Sequence, residues 1–168
     1  MISAAARYAG LVANQGRPPL SPLLLLKLIH VLAAIVAVGA NISSVLWLRR
    51  AGRDRQRLVF VIGTVRAIDR GVANPGYLVL LASGAAMIAG GFYPLGSGWI
   101  LAALGLYALT AVVGVTLFAP AVRRQLAEAE RDPASEAYAA TARRTSALGL
   151  LTTGIVVVIV ALMVFKPF

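Results

Sequence analysis

Apolar residues run almost unbroken through four stretches of this chain, roughly Pro22–Leu48, Pro75–Tyr93, Gly98–Ala119 and Ser146–Phe165, and charged residues gather between them. Each stretch approaches or exceeds about 20 residues, which at about 1.5 Å per residue crosses a hydrocarbon core about 30 Å thick. In hydrocarbon every backbone polar group must find a partner within its own segment, so the pattern predicts helices. The expected fold is all-α, an integral membrane four-helix bundle. Short connections leave no room for a separate soluble unit, so residues 1–168 read as a single four-span membrane domain.

The polar positions mark where the spans begin. Ser21-Pro22 and Asn74-Pro75 each place a side-chain acceptor before a proline whose missing N–H costs nothing at the start of a helix. Asp132-Pro133 repeats the device, Ser97 is the expected cap of span three, and Pro120 is expected to end or kink that span. Between spans one and two, Leu58, Val61, Ile62, Val65 and Val72 fall on one stripe at helical spacing, with Arg57, Arg66 and Arg70 at its edges. That pattern predicts an amphipathic helix lying on the inner leaflet, its arginines drawn to anionic lipid. Asp69, flanked by Arg66 and Arg70, reads as a structural ion pair. Residues Ala121–Glu130 and Ala134–Thr145 read as short polar helices that extend spans three and four.

Composition agrees with the membrane. Hydrophobic residues make up 60% of 168, more apolar surface than a soluble domain of this length could bury. The 16 Lys and Arg against 6 Asp and Glu give a net charge of +10. The arginines cluster in the two segments Arg49–Asn74 and Pro120–Thr145, so membrane topology explains the charge better than nucleic acid does. By the positive-inside rule both segments face the cytoplasm and both termini lie outside. Tyr93 and Trp99 then belong to an outer aromatic belt, and Trp47, Tyr77 and Phe118 to an inner one. The first 20 residues, with Arg7 and Arg17, lack an apolar core followed by a small-residue cleavage site, so no cleaved signal peptide is expected. The absence of Cys excludes disulfides, iron–sulfur clusters and thiolate metal sites.

Candidate chemistry concentrates on span one. Lys27, His30, Ala34, Ala37, Asn41 and Ser44 share one helical stripe, while Leu28, Leu32 and Ile35 suit lipid on the opposite face. This polar seam has two readings. Small and hydrogen-bonding residues pack helices together, and ionisable groups inside a membrane mark functional sites. Lys27 is expected to extend to the outer surface. His30 lies about 12 Å inside its span, Met87 about 12 Å from the same face, and Tyr107 near the same layer. His30 and Met87 are therefore candidate axial ligands of haem b, with Tyr107 a candidate partner for a propionate or water. His30 is also the candidate metal ligand for copper. Ala82, Ala86 and Gly90, then Gly105, Gly114 and Gly149, are packing signals, within the chain or between copies. The spans hold no carboxylate pair, nucleophile triad or phosphate loop.

The segments LKLIHVLAAIVAVGANI (26–42), NPGYLVLLASGAAMI (74–88), WILAALGLYAL (99–109) and PAVRR (120–124) resemble a family of small bacterial predicted integral membrane proteins of unknown function. That family is similar to the copper-resistance D proteins and the small membrane-type protoporphyrinogen oxidase. The resemblance covers most of Ser21–Phe165. It implies a four-helix fold in the bacterial inner membrane and, through the oxidase-like relatives, a haem-linked histidine for which His30 is the counterpart. The expected role is an accessory or interaction subunit without established catalysis, with a membrane protein or a second copy as partner. A haem b redox protein and a small permease or copper-uptake protein are the alternatives.

Overall fold

The computed structural model describes residues 21–52 and 54–167, and of Arg49 only the backbone. Arg7, Arg17 and Phe168 lie outside the described residues. Helix α1 spans Pro22–Arg50, α2 Arg55–Ile68, α3 Asn74–Ala89, α4 Gly98–Val113, α5 Ala119–Arg131 and α6 Glu136–Phe165. A π-turn at Asp69–Ala73 joins α2 to α3, and another at Gly114–Phe118 joins α4 to α5. The described residues thus form four helices long and apolar enough to cross a membrane: Pro22–Leu48, Arg55–Ala89, Gly98–Arg131 and Glu136–Phe165. The all-α membrane fold is as expected.

The caps follow local chemistry. Ser21 Oγ accepts from the Leu24 N–H at 3.2 Å, and Asp54 Oδ1 accepts from the Arg57 N–H at 2.8 Å. Ser135, not Asp132, caps α6, accepting from Tyr138 N–H at 3.1 Å. Asp132 instead accepts from Ala134 N–H at 2.9 Å, the Asx turn that a following proline favours. Ser97 stands at the start of α4 without a side-chain cap bond. Gly52 and Gly91, with φ of 70° and 74°, take the left-handed conformation that closes α1 and α3.

Asn74-Pro75 does not open a separate helix, and Pro120 does not end one: the chain stays helical from Arg55 to Ala89 and from Gly98 to Arg131. A proline inside a helix removes one N–H and drives its ring against the carbonyl four residues back. Here a widened turn precedes each proline: Asn74 N–H bonds to Asp69 O, and Ala119 N–H to Gly114 O, five residues back in both cases. Each π-turn begins six residues before its proline. Each is also separated from the Gly90–Ser97 turn by a 16-residue helix, α3 or α4, about 24 Å long. The two irregularities therefore sit at one depth, near the hydrocarbon boundary on the arginine side.

The helix expected on the membrane surface is present as α2, but its apolar stripe does not face lipid. Leu58, Val61, Ile62 and Val65 join Ala51, Val122 and Ala129 in a buried cluster against α5, with Phe118, Leu126 and Tyr138 around it. Val72, expected on the stripe, is 43% exposed, because the π-turn shifts the register by one residue beyond Ile68. Asp69 has no cation within ion-pair distance: among the described residues the ion pair is Glu128–Arg131 at 3.6 Å. The best-packed core thus lies at the arginine-rich ends of these long helices, where α2 meets α5. Within the spans, α1 packs on α3 and α4 packs on α6.

The fully buried Ile62 gives this arrangement a test. Ile62→Ala is expected to cost about 2–4 kcal/mol, and Val72→Ala less than about 0.5 kcal/mol. Denaturant unfolding of the detergent-solubilised protein measures both. Equally small losses would mean that the α2 stripe faces lipid or water.

Candidate functional site

The polar seam of α1 is built on small residues. Ala33, Ala37 and Ala40 are buried along it, and Gly76 of α3 lies against them. A Cβ added at Gly76 would stand 3.2 Å from Ala37 Cβ and 3.5 Å from the Ala33 carbonyl oxygen. A larger residue would push α1 away by a few tenths of an ångström or more, and the close approach brings the polar side chains of α1 within reach of α3. Two cross-helix hydrogen bonds result, His30 Nδ1 with Ser83 Oγ at 2.9 Å and Asn41 Nδ2 to the Tyr77 hydroxyl at 2.6 Å. Ser44, the last member of the seam, turns back to donate to Ala40 O at 2.9 Å.

The Ser83 contacts favour one tautomer of His30. Ser83 Oγ carries one proton and lies 2.7 Å from Val79 O and 3.1 Å from Leu80 O on its own helix. With that proton donated to a carbonyl, Oγ faces the imidazole as an acceptor. In that arrangement His30 donates through Nδ1–H, and in the neutral ring Nε2 keeps its lone pair. Gly84 packs against the ring, where a Cβ would lie 3.4 Å from His30 Cε1, at ordinary contact distance. A neutral imidazole with a bare Nε2 is the form that ligates a metal centre or accepts a proton.

Of the three residues expected in one layer, Tyr107 stands apart from the other two. Met87 is buried one helical turn beyond Ser83, on the side away from Tyr77. Tyr107 donates its hydroxyl to the Tyr77 carbonyl at 3.0 Å, and Tyr77 is ten residues from Met87, about 15 Å along α3. Tyr107 therefore belongs with Asn41 and Tyr77, not with His30. Its bond links the α4–α6 pair to the α1–α3 pair. Tyr77, expected in an inner aromatic belt, is instead half-buried between helices. No group of three or more His, Cys, Asp or Glu suited to a metal ion occurs among the described residues.

Lys27 extends to the end of the bundle that carries the turn between α3 and α4. Its Nζ lies 5.7 Å from the centroid of the Tyr93 ring. Lys166 Nζ lies 5.0 Å from the same ring and 5.6 Å from that of Trp99. The two rings meet edge to face at 5.9 Å. The Tyr93 phenol is held below its ordinary range, first by its hydrogen bond with Lys27 and then by the charge of Lys166. This cluster ties the ends of α1 and α6 to the turn between α3 and α4.

Ser83, Gly84 and Tyr77 were not singled out from the sequence as partners of the seam. A serine in an apolar span signals only a bond to its own helix, and the α1–α3 register that brings it to His30 is a property of the packed pair.

Ser83→Ala leaves the Nδ1–H of a half-buried imidazole without its acceptor and is expected to cost about 1–3 kcal/mol. Nitrogen-15 NMR of labelled His30 reads the tautomer directly. An Nε2–H imidazole in the unmodified protein would contradict the hydrogen-bond assignment.

No curated protein and no solved structure matches the chain. The likeness to copper-resistance D proteins and to protoporphyrinogen oxidase is not shown by these comparisons. A family model does match: that of a predicted integral membrane protein, DUF2269, over residues 24–167. That match takes in all of the four apolar helices but the first two residues, Pro22 and Leu23, and the chain belongs to the DUF2269 family of predicted integral membrane proteins.

Proposed function

We propose that this chain is a membrane-embedded interaction subunit, whose spans dock against helices of a partner or of a second copy and which carries no reaction of its own. One observation carries this reading. Gly76 and Gly84 are covered by α1, whereas a Cβ added at Gly39, Gly105 or Gly154 would meet nothing within 4 Å. Small residues on membrane helices permit close approach of another helix, and these three are unused within the chain. Helix α6 adds to this, since its only buried residue is Thr145, at the arginine-side boundary.

The setting proposed with it is the bacterial inner membrane. The arginine-rich ends of α2, α5 and α6 lie in the cytoplasm and both termini outside, in accord with the positive-inside rule. Arg57 and Arg70 are exposed and Arg66 is half-exposed, where the headgroups of an anionic inner leaflet would meet them.

A second reading rests on the His30 tautomer. Its bare Nε2 fits one axial position of haem b, with Met87 the other candidate ligand. Haem would supply one-electron redox chemistry. The chain's own part would be the Ser83 acceptor, which holds the imidazole in its ligating form. Copper uptake or a permease has less support, because the polar groups follow one seam and do not line a path.

Two substitutions test the interaction role. Gly154→Leu is expected to leave thermal unfolding of the isolated protein within a few degrees of the parent while abolishing co-purification of a partner or self-association in native membranes. Gly76→Leu should destabilise the chain itself. Equal destabilisation by both would place Gly154 in the chain's own packing and remove the reading. Orientation is separate: a periplasm-dependent reporter fused after Phe168 should be active, and activity of a cytoplasm-dependent reporter there would reverse the topology. For haem, the reduced and oxidised visible spectra decide. A Soret band lost in His30→Ala supports the second reading, and a colourless protein made with ample haem removes it.

A further inference from the structure

A cleft of about 170 Å³ opens between α5 and α6 where the second π-turn passes into α5. Thr116, Leu117 and Pro120 line one wall, Thr141 the other, and Arg124 and Arg144 stand at it from the two helices. Thr116 is eighteen residues from Gly98, about 27 Å along the helix axis, so the cleft lies at the inner boundary of a core about 30 Å thick. Side chains on a helix lean toward its N-terminus. On α5 that direction points Arg124 back toward the bilayer.

The chemistry of the lining selects an anion. Arg124 and Arg144 both line one small cleft, and among the described residues neither is paired with a carboxylate, since the ion pair there is Glu128–Arg131. Like charges held together in this way gain from a shared counter-ion. Guanidinium presents paired N–H donors that match phosphate oxygens. The hydroxyls do not compete for this role. Thr116 Oγ1 donates to Val112 O at 2.7 Å and Thr141 Oγ1 to Tyr138 O at 2.8 Å, so their protons are spent within their own helices. The apolar wall of Leu117 and Pro120 suits the start of an acyl chain better than it suits a fully hydrated ion.

We propose that this cleft holds the phosphate of an anionic phospholipid of the adjoining leaflet, with Arg124 and Arg144 as its ligands and Leu117 and Pro120 against its glycerol end. The site is distinct from the general attraction of the bilayer surface for Arg57, Arg66 and Arg70, because it depends on two arginines converging from different helices. It is also independent of any docking at Gly105 or Gly154.

The test is a titration of the full chain in detergent, followed by native mass spectrometry, with short-chain phosphatidylglycerol, phosphatidylcholine and inorganic phosphate as probes. The unmodified protein is expected to bind phosphatidylglycerol well above phosphatidylcholine, and inorganic phosphate should not compete at equal concentration. If each arginine contributes about a factor of five, Arg124→Gln with Arg144→Gln should weaken phosphatidylglycerol binding on the order of thirtyfold. Arg57→Gln with Arg70→Gln removes the same charge and should change it less than about threefold. Thr141→Val should leave it unchanged. Equal losses in the two double variants would reduce the site to bulk charge and overturn the proposal. Effective competition by inorganic phosphate would overturn the lipid as its occupant. The arginines are exposed, so their replacement should preserve the fold, and an unchanged unfolding midpoint checks that.

Discussion

A backbone N–H or C=O left unpaired in hydrocarbon costs several kcal/mol, and that penalty organises this molecule. It forces each span to be a helix and forbids the chain to break where two prolines interrupt the ladder. The break is converted into a π-turn ahead of each proline, at Asp69–Ala73 and Gly114–Phe118. Because the ladder survives, helices that begin as membrane spans run on past the boundary and carry α2 and α5 into contact. The same penalty governs the side chains. His30, Asn41 and Tyr107 each find a partner on the neighbouring helix, and no buried side-chain polar atom among the described residues lacks one.

The interior of the protein is therefore distributed unevenly. Between the spans the contacts are small and close, alanine and glycine on α1 and α3, with lipid-facing leucine, valine and isoleucine around them. Beyond the spans the contacts resemble those of a soluble protein, with Leu58 and Ile62 wholly enclosed. The difference has a physical origin. Lipid is as apolar as leucine, so large side chains gain little by turning inward in the membrane. Water drives them together where the helices emerge.

Much of this was legible in the sequence, and the parts that were not have a common cause. Long apolar runs specify spans whatever their neighbours do, and the first span is Pro22–Leu48 as read. The polar face of α1 followed from helical periodicity alone. Asn74-Pro75 was misread as the start of a span, and the ending of a span at Pro120 as possible, because a proline signals a break, while the compensating widened turn depends on the whole helix being held in place. The stripe of α2 was found but assigned to lipid, since its true cover, Val122 and Ala129, lies some sixty residues later. The His30, Met87 and Tyr107 layer was inferred from depth along separate helices. Depth does not determine the direction in which a side chain reaches, and Tyr107 reaches to Tyr77.

The core between α2 and α5 also has a consequence for biosynthesis. During synthesis the apolar stripe of Leu58, Val61, Ile62 and Val65 emerges well before Val122 and Ala129 exist to cover it. When α5 does emerge, the two intervening helices, α3 and α4, are of equal length, 16 residues each, so an inserted hairpin returns the chain to the depth at which it left α2. Until then the stripe stays uncovered, and the order of synthesis makes this core one of the later parts of the fold to close.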